Sequence, residues 1–153
     1  PAPVQFSMTG YGATSGLPSI GYRITDAQCD PVEEPSRYTE QLVRLPSGSF
    51  VFAAPESAPD IQPPPVLEKR HVTFGSFNNL AKIGPEVVEI WAGILTAIPN
   101  SRLLLKNGAF EEPAVQQRYA GLFAQHGVAA SRIEFQGYLP QDQDHLAAYH
   151  NVD

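Results

Sequence analysis

The sequence predicts an α/β fold, a Rossmann-like parallel sheet with flanking helices, and three observations predict it. Residues 71–107 read in order as strand, polar loop, amphipathic helix and strand. Leu103, Leu104 and Leu105 form a continuous apolar run, the mark of a parallel strand covered on both faces. Strand-like segments recur near positions 72, 103 and 133. That pitch of about 30 residues suits successive βα units joined by right-handed crossovers.

In chain order, Val4, Phe6 and Met8 alternate with Gln5 and Ser7, which predicts a strand over residues 3–8. A glycine-rich loop, residues 10–16, follows. Its last glycine spacing is one residue too long for a dinucleotide fingerprint, and no Lys-Ser/Thr pair follows Gly16 as in a Walker loop. On the residues alone it is a turn. Residues 21–26 predict a second strand ending at Asp26. Residues 36–45 are weakly patterned, and Phe50, Val51 and Phe52 suggest another short strand. Pro55, Pro59, Pro63, Pro64 and Pro65, with few large apolar residues between them, mark residues 54–70 as a stiff extended linker. It sets residues 1–53, too short for a comfortable domain unaided, apart from residues 71–153.

The second segment carries the chemistry. Val72 and Phe74 alternate as a strand, and Gly84-Pro85-Glu86 opens a helix with proline at its first position. Val87, Ile90, Trp91, Ile94, Leu95 and Ile98 recur at three- and four-residue steps and predict its buried face. The loop between strand and helix holds Asn78, Asn79 and Lys82. It lies at the carboxyl end of a strand, where open parallel sheets bind ligands and helix amides accept phosphate. Lys82 reads as an anion ligand or as a solvated loop lysine; the asparagines read as polar contacts or as turn caps. Lys106 ends the Leu-rich strand on the same crevice, either as a phosphate contact or as a rim lysine. Pro113 opens a second helix with Val115, Tyr119, Leu122 and Phe123 inward and Gly127 as its stop. Residues 133–135 are a third strand. A turn at residues 137–140 leads to a third helix, with Asp142 as its cap and Leu146 and Tyr149 inward. His145 lies in that helix's first turn, where an imidazole stacks on a base, bonds a ribose, or simply faces solvent. Val152 and Asp153 open a further strand.

Composition narrows the function classes. A net charge of -6 opposes a nucleic-acid-binding surface, whereas a mononucleotide needs one or two local cations. No apolar run approaches the roughly 18 to 20 residues that span a bilayer, and no charged-then-apolar leader opens the sequence. The lone Cys29 cannot pair within the chain, which fits a reducing, cytoplasmic setting. His145 and His150 stand five apart, off a common helix face, and His71 and His126 lie far away, so no metal site is expected.

Three stretches carry a resemblance. FGSFNNLAKIGPEVVEIWAGILTAIPNSRLLLKN, PAPVQFSMTGYGATSGLPSIGYRITD and GYLPQDQDHLAAYHNVD together resemble the O-GlcNAc transferase/SPINDLY family of glycosyltransferases. The family pattern runs Phe-Asn-Asn/Gln-Leu-x-Lys-Ile, a Trp-containing helix, Val/Ile-Pro-x-Ser and Leu-Leu. The resemblance implies a two-lobe glycosyltransferase-B fold. Residues 1–53 would end the N-terminal catalytic lobe, and residues 71–153 would begin the C-terminal nucleotide-sugar-binding lobe. It implies inverting transfer of N-acetylglucosamine from UDP-GlcNAc to Ser or Thr of a protein or peptide acceptor. No metal or other cofactor, nucleic acid or membrane would take part. Lys82 becomes the catalytic residue, stabilising the diphosphate leaving group. Asn79 and His145 hold the nucleotide, the backbone around Leu139 and Pro140 reads the base, and Lys106 reaches a donor phosphate. Gly10 and Tyr11 line the donor or acceptor side. The chain departs from the family at Gly12-Ala13, where Pro-Gly is usual, at Thr9, where an apolar residue is usual, and at Ala148, where a basic one is. The family's base lies upstream of these residues and a His-Thr-Thr phosphate segment downstream, so this stretch by itself is expected to be inactive. Transfer from GDP-fucose or UDP-glucose, a non-catalytic nucleotide-binding remnant and a partner-binding scaffold are the alternatives.

Overall fold

The computed structural model describes residues 2–8, 10, 12–33 and 37–153. They fall into two compact units, Pro1–Ala54 and Pro55–Asp153. In the first, β1 (Phe6–Ser7), β2 (Tyr22–Asp26) and β3 (Gln41–Leu45) form a parallel sheet with β2 central. Phe6 stands opposite Tyr22, and Ile24 opposite Val43. The strand expected over residues 3–8 shrinks to two residues, and the weakly patterned stretch supplies β3 instead. Phe50, Val51 and Phe52 form no strand and are exposed. Apolar character alone does not make a strand; a neighbour must complete its ladder.

The buried side chains of this unit are polar: Arg23, Thr25, Asp26 and Glu40. Asp26 accepts hydrogen bonds from the Gln28, Cys29 and Ser49 amides at 2.9, 2.8 and 2.7 Å and from the Ser49 hydroxyl at 2.6 Å. Glu40 accepts from the Ser15 amide and the Thr14 hydroxyl, both at 2.6 Å, and from the Ser15 hydroxyl. These two carboxylates fasten the loops that follow β1, β2 and β3. Hydrogen bonds to the charged form lower a carboxyl pKa. The Ser15 and Thr14 hydroxyls bring Glu40 from 4.5 to about 2, and Ser49 above all holds Asp26 well below the carboxylate range.

The second unit runs α1 (Val66–Lys69), β4 (Thr73–Ser76), α2 (Pro85–Ala97), β5 (Arg102–Lys106), α3 (Pro113–Gln125), β6 (Ile133–Gln136) and α4 (Asp142–Ala147). The strands are parallel in the order β4-β5-β6. The end of the expected extended linker is therefore a helical turn. The Asp153 carboxylate accepts from the Val66 amide at 2.8 Å and the Thr73 amide at 2.9 Å, tying α1 to β4. Strand β4 begins at Thr73, one residue later than the alternation of Val72 and Phe74 suggests.

Helix α2 buries Val88, Ala92 and Leu95, with Val87 and Trp91 partly covered. Ile90, Ile94 and Ile98, expected inward, are exposed at 63%, 41% and 42%. At about 100° per residue, the stripe through 88, 92 and 95 is turned well away from 90 and 94. The small Ala92 lets that stripe, rather than the bulkier isoleucines, sit close on the sheet. Arg132 donates to the Leu95 and Ile98 carbonyls at 2.7 and 2.9 Å, satisfying acceptors at the end of α2. Helix α3 buries Tyr119 and Phe123 and ends as expected at Gly127, whose φ of 78° is left-handed. There the Val128 amide donates to the Phe123 carbonyl and the Gly127 amide to the Ala124 carbonyl, at 3.1 and 3.0 Å, a Schellman stop.

Leu103 and Leu105 join the core formed with α2 and α3, together with Ile83, Phe110, Val128 and Ile133. By the two-residue period of a strand, Leu104 and Lys106 face the opposite side of the sheet. No helix among the described residues is long and apolar enough to cross a membrane.

Two outcomes are expected. A Cβ on Gly75 would lie 2.6 Å from Val152 Cγ1, and a β-branched side chain has little room to turn aside. Gly75→Ala should cost about 1–3 kcal/mol in urea unfolding of the chain. Glu40's folded pKa is depressed, so its stabilisation is complete above 4.5 and is lost as pH falls towards about 2. Unfolding midpoints measured across that window should decline less steeply in Glu40→Gln, and parallel profiles would refute the assignment.

Candidate functional site

The carboxyl ends of β4, β5 and β6 gather most of the residues singled out in the sequence. Lys106, the last residue of β5, is 7% exposed, so it is no rim lysine. Its Nζ lies 2.9 Å from His145 Nδ1 and 5.8 Å from the centroid of the Phe77 ring. Phe77 in turn packs on Tyr149 at 4.5 Å and edge-on to His145 at 6.0 Å, and His145 meets Tyr149 at 5.9 Å. The one side-chain ion pair among the described residues joins Arg102 and Glu134 elsewhere. Lys106 thus places a buried amine beside a ring face and an imidazole, without a carboxylate. An amine buried without an acidic partner leaves room for an anionic ligand.

The loop after β4 is a set of interlocking caps. Asn79 Oδ1 accepts from the Ala81 amide at 2.9 Å, capping a 3₁₀ turn at Leu80–Lys82. Asn107 Nδ2 donates to the Asn78 carbonyl at 3.2 Å, fastening this loop to the end of β5. The Tyr119 hydroxyl donates to the Ile83 carbonyl at 3.1 Å from beneath. Asn79 therefore spends its carbonyl oxygen on the turn and keeps its NH2 group exposed. Lys82, last in the turn, is exposed and has no ion-pair partner among the described residues.

The amides at the start of α2 offer less than the sequence suggests. Pro85 has no N–H, and the Val87 and Val88 amides both donate to the Gly84 carbonyl at 3.1 Å. Positive charge here comes chiefly from lysine side chains.

After β6, the Tyr138 amide donates to Glu111 Oε1 at 3.1 Å; Leu139 is half-buried and Pro140 exposed. Asp142 is not the cap of α4: Gln141 holds that position without a side-chain bond, and Asp142 is the first helical residue. An acid there still meets the positive end of the helix dipole. Tyr149, expected inward, is 50% exposed and lies in a 3₁₀ turn, Ala148–Asn151, with its ring against Phe77. Ala148, at the position where a basic residue is usual, is buried.

Lys106 and His145 are brought into direct contact, and Asn79 and Lys82 share one turn. Gly10 belongs to the first unit, with a left-handed φ of 105°, and Tyr11 lies outside the described residues. Among the described residues no three His, Cys, Asp or Glu side chains are grouped to hold a metal ion. Sequence reasoning missed Phe77 and the outward role of Tyr149. The available signal was an aromatic directly before Asn78 and another four residues after His145.

Residues 1–59 and 64–147 match glycosyl transferase family 41. A tomato protein described as a probable UDP-N-acetylglucosamine–peptide N-acetylglucosaminyltransferase SPINDLY is 43% identical over 153 residues, which is 100% of this chain and 16% of the relative. The Arabidopsis thaliana protein of the same description is 42% identical over 100% of this chain and 17% of its own length. The Arabidopsis protein SEC, described as the same kind of enzyme, is 34% identical over 88% of this chain and 14% of its length. A mutant of the Thermobaculum terrenum O-GlcNAc transferase superposes with a TM-score of 0.79 at 31% identity, over 99% of this chain and 28% of that one. The chain thus spans about a sixth of the length of these curated relatives. With parallel α/β sheets, a match over most of the sequence and this structural likeness in agreement, the chain belongs to glycosyl transferase family 41.

Proposed function

We propose that the chain is part of a protein O-linked N-acetylglucosaminyltransferase acting in the cytoplasm, which transfers GlcNAc with inversion from UDP-GlcNAc to protein Ser or Thr without a metal. One geometric observation carries the reading: the buried Lys106 ammonium, without a carboxylate, rests on His145 at the carboxyl end of the central strand. That is where an open parallel sheet takes a nucleotide. The names of the SPINDLY and SEC relatives support the donor and the peptide acceptor.

In the reaction, the acceptor hydroxyl oxygen bonds to the anomeric carbon as the bond from that carbon to the diphosphate breaks. The diphosphate departs with the electron pair, and the hydroxyl proton passes to a base. Negative charge grows on the leaving oxygens, and preorganised cations favour that change. Lys82 supplies one such cation on a turn held by Asn79, and Lys106 supplies a second from the end of β5. His145 and the turn at Leu139 and Pro140 hold the nucleoside, and the Asn79 NH2 group is free for a ligand oxygen. Gly10 and Tyr11 serve the sugar or acceptor side.

Titration of UDP into the intact gene product tests the assignment. Lys82→Ala should weaken UDP by about 10- to 100-fold, the value of a charge-assisted hydrogen bond. Transfer to a peptide should slow by roughly 100- to 1,000-fold. Equal affinity and equal rate in the variant would remove Lys82 from the role. Faster transfer from GDP-fucose or UDP-glucose than from UDP-GlcNAc would replace the donor.

A further inference from the structure

We propose that Lys106 is a positioning residue that locks His145 in the neutral tautomer carrying its proton on Nε2. An ammonium has three donors and no acceptor, whereas each imidazole nitrogen either donates or accepts. At 2.9 Å from Lys106 Nζ, His145 Nδ1 must therefore be the acceptor. An imidazole that accepts at Nδ1 is uncharged and holds its hydrogen on Nε2.

The surroundings favour this arrangement over its reverse. Strand alternation sends Lys106 to the side of the sheet where α4 brings His145. The Phe77 ring lies 5.8 Å from the ammonium, and an aromatic face stabilises a cation. Edge contacts from Phe77 and Tyr149 hold the imidazole plane, so the ring cannot turn freely to exchange its nitrogens. Nε2 has no hydrogen-bond partner among the described residues, so its N–H is left for a ligand.

The lock divides the work between two adjacent groups. His145 offers a donor without charge, which suits a neutral oxygen such as a ribose hydroxyl or a base carbonyl. Lys106 keeps two further N–H donors and its full charge for an anionic oxygen. A ligand with both features side by side, a nucleoside phosphate, satisfies both. That ligand assignment rests on the function proposed above; the tautomer does not.

The test is nitrogen NMR of the intact gene product labelled at the histidine rings, with the His145 signals identified by their loss in His145→Gln. The wild type should show His145 protonated at Nε2 and bare at Nδ1. Lys106→Met should shift His145 towards a mixture of tautomers, and Lys106→Arg, which restores a donor, should return it. A proton on Nδ1 in the wild type, or an unchanged pattern in Lys106→Met, overturns the proposal. If the methionine variant loses its folded amide spectrum, a proton on Nδ1 in the wild type or in the arginine variant still overturns the proposal, and Lys106→Gln at matched pH takes the place of the methionine variant. Adding UDP to the intact gene product then reports separately on the ligand: an unmoved His145 Nε2–H signal would count against the nucleotide reading and leave the lock standing.

Discussion

The alternation of a single strand governs the second unit. β5 lies between two parallel neighbours, so its side chains have two directions available and no third. Leu103 and Leu105 go to the helix side and close the core against α2 and α3. Leu104 and Lys106 go to the other side. The same geometry that packs the leucines therefore commits a lysine to a place with almost no water, at the strand end where ligands enter. The Phe77 ring and the His145 imidazole make that position tolerable by standing against the Lys106 amine, and Tyr149 packs on both of those rings.

The two units keep their shape by different means. In the second, a contiguous apolar cluster under the sheet does most of the work, with Arg132 and Tyr119 satisfying carbonyls at its margins. In the first, the buried side chains are polar, and carboxylates stand where a core would. Glu40 gathers Thr14 and Ser15, and Asp26 gathers Gln28, Cys29 and Ser49. The glycine-rich loop is thus anchored at its second half rather than free, even though its sequence reads as a plain turn. Parallel sheets usually lie covered on both faces, and the exposed Phe6, Tyr22 and Val43 leave this one open among the described residues.

Much of the architecture is legible in the residues because it rests on local rules. Pro85 and Pro113 open α2 and α3 where a missing N–H costs nothing, and Gly127 closes α3 where only glycine turns left without strain. The Leu-rich run is β5, and Asp26 does end β2. The errors share a cause. Hydrophobicity places the apolar stripe of α2 through Ile90 and Ile94, whereas burial follows which side chains let helix and sheet approach, and Ala92 outranks Ile90 for that purpose. Phe50, Val51 and Phe52 have strand chemistry but no partner strand. Gln41–Leu45 has weak patterning yet becomes β3 because β2 offers it a full ladder.

The site divides along the same line. Sequence by itself points to the fold class and the family, and it puts Asn79, Lys82, Lys106 and His145 on or just beyond the carboxyl ends of strands, because these depend on residue type and spacing. Tertiary structure alone decides that Lys106 is buried rather than on the rim, that its amine rests on His145, and that Phe77 and Tyr149 complete the enclosure. Those contacts join β5, the loop after β4 and the segment around α4, up to 72 positions apart between Phe77 and Tyr149. Burial and hydrogen-bond partnership belong to neighbours in space, and spacing along a chain does not name them.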